Sequence, residues 1–327
     1  MKKGIIWICW YATSGLEEDH SGRNRVMDRQ IKQLEYSVKW ARMEGYPVNV
    51  FIEKPHEMGW VLGCTRYYDD LYNFLNEDEI TFYDYPDKYH LELRPDYDLP
   101  GDQKGREHPY WYNRFFRKHY IFPKSPFDMT LYLDTDCYFM NHTNHKVLHA
   151  PKGNEYAAEG IGLDWIFDKL ENQYTFAASI EGPPFIYNRV THNIDGEDKP
   201  IQDRWDELCE KWVKNYHGHV PLLQGGVTFF NKNSEHFLPT LELSEEIMVQ
   251  EYHISACVYH AGHTCNDQVT LSLAVEELKV PIMYLNPMTW CRRGITGGGG
   301  NYPMLTESGV KIMHSAEWFD AWLRRYG

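Results

Sequence analysis

Apolar residues along the chain fall into short continuous runs and into longer segments with helical spacing. The run 4–11 is apolar, β-branched and aromatic, which predicts a buried strand. Residues 25–43 repeat apolar positions at helical spacing, and Gly45 and Pro47 end that pattern before a second strand-like run at 48–52. Strand, helix and strand in this order form the unit of a parallel sheet, whose ligands bind at the carboxyl ends of strands. We therefore expect an α/β fold with a binding edge after the first strand.

The same alternation continues through the rest of the chain. Further strands are predicted at 129–140, 176–180, 221–231, 281–285 and 310–314, and further helices at 110–122, 205–216 and 266–278. Two neighbouring glycines within 221–231 predict a place where another group approaches the backbone closely. No internal repeat is visible, which argues against a solenoid. We predict one domain that spans residues 1–327.

Composition and charge narrow the possible functions. The formal net charge is −14, so nucleic acid would be repelled on average and is not an expected partner. The first apolar run is far shorter than the roughly 20 residues that a membrane span needs, and we expect neither a span nor a signal peptide. Seven cysteines, odd in number and scattered, fit a disulfide framework poorly and predict a cytoplasmic location. The sequence does not indicate an oligomeric state.

Two carboxylates interrupt the apolar run 129–140. Asp134 and Asp136 are two positions apart, so in an extended segment they point to the same side, and in a turn they can still converge on one ion. Oxygen ligands of this kind suit Mg²⁺ or Mn²⁺, which share their coordination with substrate phosphates. The alternative is a turn or helix cap that happens to contain two aspartates. The apolar flanks favour the metal, because a buried carboxylate needs a cationic partner.

The chain resembles nucleotide-sugar-dependent glycosyltransferases of the GT-A fold, in which an apolar strand ends in Asp-x-Asp. Further segments follow in the order typical of that family. They are Gln224-Gly225-Gly226-Val227, Asn266-Asp267-Gln268 with the helix after it, the strand and loop from Pro281 to Trp290, and Lys311-Ile312-Met313-His314. The resemblance implies a mixed, mainly parallel, Rossmann-like sheet flanked by helices. It also implies a nucleotide-binding half at 1–140 and an acceptor-binding half at 141–327.

The resemblance assigns roles to individual residues. A divalent cation, Mn²⁺ or Mg²⁺, would be held by Asp134, Asp136 and His314. Contacts to the nucleotide sugar, with a UDP-sugar favoured, would come from Tyr11, Ala12, Thr13, Arg114, Asp134, Thr135, Gln224, Gly225, Gly226, Arg292 and Arg293. Asp267, Gln268 and Trp290 would meet a carbohydrate or other hydroxyl acceptor. Asp267 would act as the base in an inverting enzyme and would position acceptor or sugar in a retaining one. The sequence leaves this choice open.

A second group of potential metal ligands precedes Asp267. Zinc could be held by some of His253, Cys257, His260, His263 and Cys265, although their spacing matches no standard zinc motif. The competing interpretation is that these side chains fill space near the site. The loop 297–300, with four consecutive glycines, is either a flap over the bound donor or a simple surface loop.

Three other functions remain as alternatives to sugar transfer. A sugar-phosphate nucleotidyltransferase would open with a Gly-rich, Arg-containing loop that ends in Pro-Lys, and residues 11–22 lack it. A zinc hydrolase would use the His/Cys group, but the chain has no His-Glu-x-x-His. A non-catalytic carbohydrate-binding protein could keep the fold. The presence of Asp134, Asp136 and His314 argues against that last reading.

Overall fold

In the computed structural model, the described part of the chain consists of residues 1–9, 20–53, 70–83, 117–139, 162–180, 191–194, 197–218, 220–259, 267–286, 290, 292–293, 312–314 and 319. Its strands are β1 Lys3–Cys9, β2 Val48–Glu53, β3 Ile80–Tyr83, β4 Met129–Leu133, β5 Cys137–Phe139, β6 Phe176–Ile180, β7 Thr191–Ile194, β8 Glu197–Pro200, β9 Leu223–Asn231, β10 Ile282–Leu285, β11 Arg292–Arg293 and β12 Ile312–His314. Its helices are α1 His20–Met43, α2 Arg117–Ile121, α3 Leu163–Asn172, α4 Ile201–Trp212, α5 Phe237–Tyr259 and α6 Asp267–Glu277.

A large mixed sheet organises the described residues. Its strand order is β10-β6-β9-β4-β1-β2-β3. All of these strands run parallel except β9, which is antiparallel to both of its neighbours, β4 and β6. The sheet is therefore mainly parallel, as the sequence predicts. Because β9 comes late in the chain and lies beside β4, residues from both halves of the sequence meet in the middle of one sheet.

Side chains alternate between the two faces of the sheet, and helices cover both. In β1, Ile5 and Trp7 belong to one buried cluster, whereas Ile6 and Ile8 belong to another on the opposite face. Apolar residues of α1 and α3 complete the first cluster, and those of α2, α5 and α6 complete the second. Helix α4 packs outside α5 and α6 in a third cluster. Strands buried on both faces explain the continuous apolar runs in the sequence.

Two helices were not expected from the sequence, and a third is shifted. Helix α4 spans 201–212 rather than 205–216. Helix α5 lies between the sheet and α4, with Met248 in the second cluster and Ile247 in the third. Its apolar residues are therefore not confined to one stripe, which weakens the periodic signal. Helix α3, which does have such a stripe, was missed as well.

A small second sheet lies next to the end of β4. Its order is β11-β12-β5, with β12 antiparallel to β5 and parallel to β11. The register places His314 opposite Cys137 and Arg293 opposite His314. This sheet brings a late segment of the chain back to the residues that follow Asp136.

Three cysteines whose side chains are described, Cys9, Cys137 and Cys209, are buried and are not joined by disulfide bonds. Burial raises the pKa of the Cys209 thiol above its ordinary value, and the nearby Asp206 carboxylate acts in the same direction. A thiol in this environment stays protonated and unreactive.

None of the described helices is both long and apolar enough to cross a membrane.

A methyl group at Gly4 has no room in β1. A Cβ built there would lie 2.5 Å from ring carbons of Phe127, which is itself buried. We expect Gly4→Ala to lower the free energy of unfolding by about 1–3 kcal/mol, because the ring or the strand must shift. Chemical denaturation measures this loss. In a Phe127→Ala background, where the ring is gone, the same substitution should cost much less, and an equal cost in both backgrounds would contradict the explanation.

Candidate functional site

The two aspartates lie in a turn at the carboxyl end of β4. The Asp134 N–H donates to the Gly226 carbonyl oxygen at 2.9 Å, and the Cys137 N–H donates to the Asp134 carbonyl oxygen at 2.9 Å. The strand therefore ends at Leu133, the chain turns through 134–136, and β5 begins at Cys137. Of the two arrangements that the sequence allowed, the turn is the one that forms. Both aspartates are partly exposed.

The hydroxyl of Tyr132 orients the first aspartate. Tyr132 lies two residues before Asp134, and its hydroxyl donates to Asp134 Oδ1. The same ring lies beneath the ammonium group of Lys118, with 5.0 Å between Nζ and the ring centroid. This distance is within the range of a cation–π interaction. Tyr132 thus contacts both the Asp134 carboxylate and the Lys118 ammonium group.

Lys118 connects three segments that are distant in sequence. Its Nζ lies 2.5 Å from Asp267 Oδ2 and 3.9 Å from Asp134 Oδ1, and it donates to the Gly225 carbonyl oxygen at 2.8 Å. The exposed fractions of the Lys118 and Asp267 side chains are only 15% and 12%. A cation between two carboxylates in partly buried surroundings offsets the repulsion that the carboxylates would otherwise exert on each other.

Gly225 lets these side chains come together. A Cβ at this position would lie 2.7 Å from Lys118 Nζ, 2.8 Å from Gln268 Cγ and 3.3 Å from Asp267 Oδ2. The close approach that the paired glycines predicted is therefore made by side chains of α2 and α6. Any side chain at 225 would occupy the space in which the ion pair forms.

The position of Asp267 follows from the start of α6. It is the first residue of this helix, where the helix dipole favours a negative charge. Residues 267–275 are all buried, because α6 packs against the sheet on one side and against α4 and α5 on others. A helix enclosed in this way holds its first residue in a fixed place. Gln268, the next residue, is buried beside Gly225.

The residues present fit a divalent cation of the Mg²⁺ or Mn²⁺ type. Asp134 and Asp136 supply carboxylate oxygens at an exposed turn, and the backbone of His314 lies opposite Cys137, directly after that turn. Paired strands place such residues about 4.5–5.5 Å apart between Cα atoms. Among the side chains that are described, no group of three potential ligands is assembled. Only the backbone of His314 is described, so its role as third ligand stays a prediction.

The other predicted site residues fall into several groups. Gln224, Gly225 and Gly226 lie on β9 beside the aspartate turn. The backbones of Arg292 and Arg293 lie in the small sheet. Tyr11, Ala12, Thr13, Arg114, the glycine loop at 297–300 and the zinc candidates His260, His263 and Cys265 lie outside the described residues. His253 and Cys257 are described only as part of the backbone of α5.

Trp290 has a packing role. Its exposed fraction is 1%, and its ring meets that of Phe229 edge to face at 6.0 Å between centroids. The acceptor contact that the resemblance implied for Trp290 stays a prediction.

Sequence reasoning missed two residues of this site, Lys118 and Tyr132. Lys118 was visible as one of several basic residues among aromatics, but nothing local distinguishes it from its neighbours. Tyr132 had a usable signal, because it lies two residues before Asp134 and therefore on the same side of an extended strand. A tyrosine at that spacing from a carboxylate is a candidate hydrogen-bond donor to it.

Comparison with known proteins shows the fold. No protein-family model and no curated protein matches the chain. The crystal structure of mouse xyloside xylosyltransferase 1 in its apo form is similar over 96% of this chain and 98% of that one, with 13% identity and a TM-score of 0.50. The galactosyltransferase LgtC matches over 95% of this chain and 86% of that one, with 12% identity and a TM-score of 0.47. The predicted GT-A-type fold is confirmed.

We expect Gly225→Ala to separate Lys118 from Asp267 while the chain still folds. The flexible ends of Lys118 and Gln268 can move away from the new methyl group more easily than the strand can. A crystal structure of the variant should show more than 4 Å between Lys118 Nζ and Asp267 Oδ2, and the loss of stability should be about 1–3 kcal/mol. Val227→Ala on the same strand is the control, since it removes buried volume without touching the ion pair. An intact ion pair in Gly225→Ala would contradict this account of the glycine.

Proposed function

We propose that the chain is a divalent-cation-dependent glycosyltransferase that moves a sugar from a nucleoside-diphosphate sugar to an acceptor hydroxyl. The observation that carries the proposal is the meeting of the Asp134–Asp136 turn with Lys118 and Asp267 at the carboxyl end of β4. In open α/β sheets, ligands bind at this end of the strands. The GT-A-type fold supports the same assignment, because it is the fold of structurally similar glycosyltransferases.

In this proposal the aspartate turn is the metal site. Asp134 and Asp136, with His314 as the third ligand, would hold Mn²⁺ or Mg²⁺. When bound, such an ion neutralises the diphosphate leaving group of the donor. Tyr132 keeps Asp134 Oδ1 in a defined direction through its hydrogen bond. Arg292 or Arg293, which the small sheet brings near His314 through its backbone, would add positive charge for the phosphates.

Lys118 and Asp267 would act on the sugar side of the site. The ion pair holds the Asp267 carboxylate beside Gly225, near the start of β9. The Lys118 ammonium group lies between that carboxylate and the carboxylate of Asp134. Fixed charges of this kind orient polar groups of a bound sugar without rearranging during the reaction. Asp267 and Gln268 would contact the acceptor or the transferred sugar.

The remaining assignments are further parts of the same proposal. A UDP-sugar is the favoured donor, with Tyr11, Ala12, Thr13, Arg114 and Thr135 among its contacts. Residues 1–327 would work as one domain, in which 1–140 bind the nucleotide and 141–327 bind the acceptor. The insertion of β9 between β4 and β6 supports one unit, because the two halves share a sheet. A cytoplasmic location rests on the scattered cysteines of the sequence.

A screen of nucleotide sugars for slow hydrolysis tests this function, because hydrolysis requires no knowledge of the acceptor. We expect release of the nucleoside diphosphate from at least one donor in the presence of Mn²⁺, and loss of this release with a chelator. Asp136→Asn should lower the rate by on the order of 10²- to 10³-fold, since it removes a charged ligand of the ion. Product release can be followed by chromatography.

The control for this experiment is Asp78→Asn, the same chemical change at an exposed surface position. It should leave hydrolysis unchanged. Thermal unfolding adds a second measurement, because UDP should stabilise the active chain only when Mn²⁺ is present. A chain that hydrolyses no donor and is stabilised by sugars alone would be a carbohydrate-binding protein, and an Asp136→Asn variant with normal hydrolysis would exclude the metal assignment.

Charge compensation between Lys118 and Asp267 gives a separate prediction. Lys118→Met should lower the free energy of unfolding by up to about 3 kcal/mol, because a partly buried Asp267 carboxylate then lacks the cation with which it pairs. The double variant Lys118→Met/Asp267→Asn should recover most of this stability, yet it should remain without transfer activity. Chemical denaturation and donor hydrolysis measure the two effects. Additive losses of stability would show that the two charges are not coupled in the folded chain.

A further inference from the structure

A chain of polar side chains crosses the apolar layer behind the ion pair. His119 on α2, Ser244 on α5 and Thr270 on α6 are all buried. They lie among apolar residues of the same three helices, which share the second core cluster with the sheet. A hydrogen-bonded chain in such surroundings is strong when complete and costly when interrupted. None of these three residues belongs to the site described above.

The direction of this chain follows from the group at its end. Thr270 Oγ1 donates to the Asp267 carbonyl oxygen at 3.4 Å, and a carbonyl oxygen can only accept. The Thr270 hydroxyl has one proton, so it accepts from Ser244 Oγ at 3.0 Å. The Ser244 proton is then committed as well. The His119 ring must therefore donate through Nε2 to Ser244 Oγ, across 2.7 Å.

One end of this chain is the neighbour of Lys118 in sequence, and the other end is the backbone of Asp267. His119 directly follows Lys118 on α2. The carbonyl oxygen at the other end belongs to Asp267, whose carboxylate receives the Lys118 ammonium group. One route between α2 and α6 therefore runs through the ion pair itself, and the other runs behind it through α5. Together the two routes form a closed loop of contacts, of which Asp267 is a member.

We propose that His119 is a positioning residue, which holds α2 so that Lys118 reaches Asp267 and the Gly225 carbonyl oxygen. Its role in sugar transfer rests on the function proposed above, but its effect on Lys118 does not. The Nε2–H donor fixes His119 to α5, and α5 is fixed to the first turn of α6 by Ser244 and Thr270. This bond therefore anchors the described part of α2, on which Lys118 lies, to the neighbouring helix.

The reactivity of the Lys118 amine tests this inference directly. The full-length chain is treated with an acetylating N-hydroxysuccinimide ester, and the rate at each lysine is measured by peptide mass spectrometry. In the wild type, Lys118 should react slowly because it is shielded and ion-paired, whereas Lys214, with 87% of its side chain exposed, should react fast. His119→Leu should raise the Lys118 rate roughly three- to tenfold and leave Lys214 unchanged.

His119→Gln is the matched variant, because its side-chain amide can still donate to Ser244. It should keep the Lys118 rate close to that of the wild type. A folded His119→Leu chain with the wild-type rate would overturn the inference, as would a His119→Gln chain that reacts like His119→Leu. If His119→Leu fails to fold, Ser244→Ala breaks the same chain with a smaller change, and an unchanged Lys118 rate in that variant is equally decisive.

Hydrolysis of the nucleotide sugar gives the functional arm of the test. His119→Leu should lower kcat about tenfold with little change in KM for the donor, because the donor site is intact and only the sugar-side charges are displaced. If the wild type hydrolyses no nucleotide sugar, the proposed function fails. The acetylation result still decides whether His119 positions Lys118, so the two failures are distinguishable.

Discussion

The ion pair between Lys118 and Asp267 is the interaction on which the arrangement of the site depends. Three otherwise separate segments meet there: helix α2, the paired glycines of β9 and the first turn of α6. Both side chains are mostly shielded from water, so their attraction is weakened little by solvent. Lys118 also lies close to Asp134. The predicted metal site and the predicted acceptor site therefore belong to one connected group of charges.

The rest of the structure supplies rigidity around these charges. Strand β4 is buried along its length, and α6 is enclosed along most of its own, so neither element can shift to relieve repulsion between carboxylates. Compensation must therefore come from nearby side chains, and Lys118 and Tyr132 provide it. Gly225 makes this compensation possible, because the absence of a side chain there leaves room for Lys118 to reach Asp267. A site of this kind is preorganised by packing before any ligand arrives.

Much of this arrangement could be predicted from the sequence, and the remainder depended on tertiary contacts. The aspartates, the paired glycines and the start of α6 were recognisable because local pattern and chemistry coincide at each of them. Helix α3 could have been found, since Leu163, Ile166 and Leu170 repeat at helical spacing. The antiparallel direction of β9 and the role of Lys118 could not. Both depend on how distant segments pack, which the composition of the segments does not encode.

The position of β9 has a consequence for the order in which the chain can fold. Strands β1 to β4 come from the first 133 residues, yet the neighbour of β4 on its other side begins at Leu223. During synthesis, β4 therefore lacks its neighbour β9 until roughly ninety further residues have emerged. Such long-range pairing slows folding and leaves a strand edge available to other chains. The hydrogen bond from the Asp134 N–H to the Gly226 carbonyl oxygen, which closes the aspartate turn, cannot form before this segment has emerged.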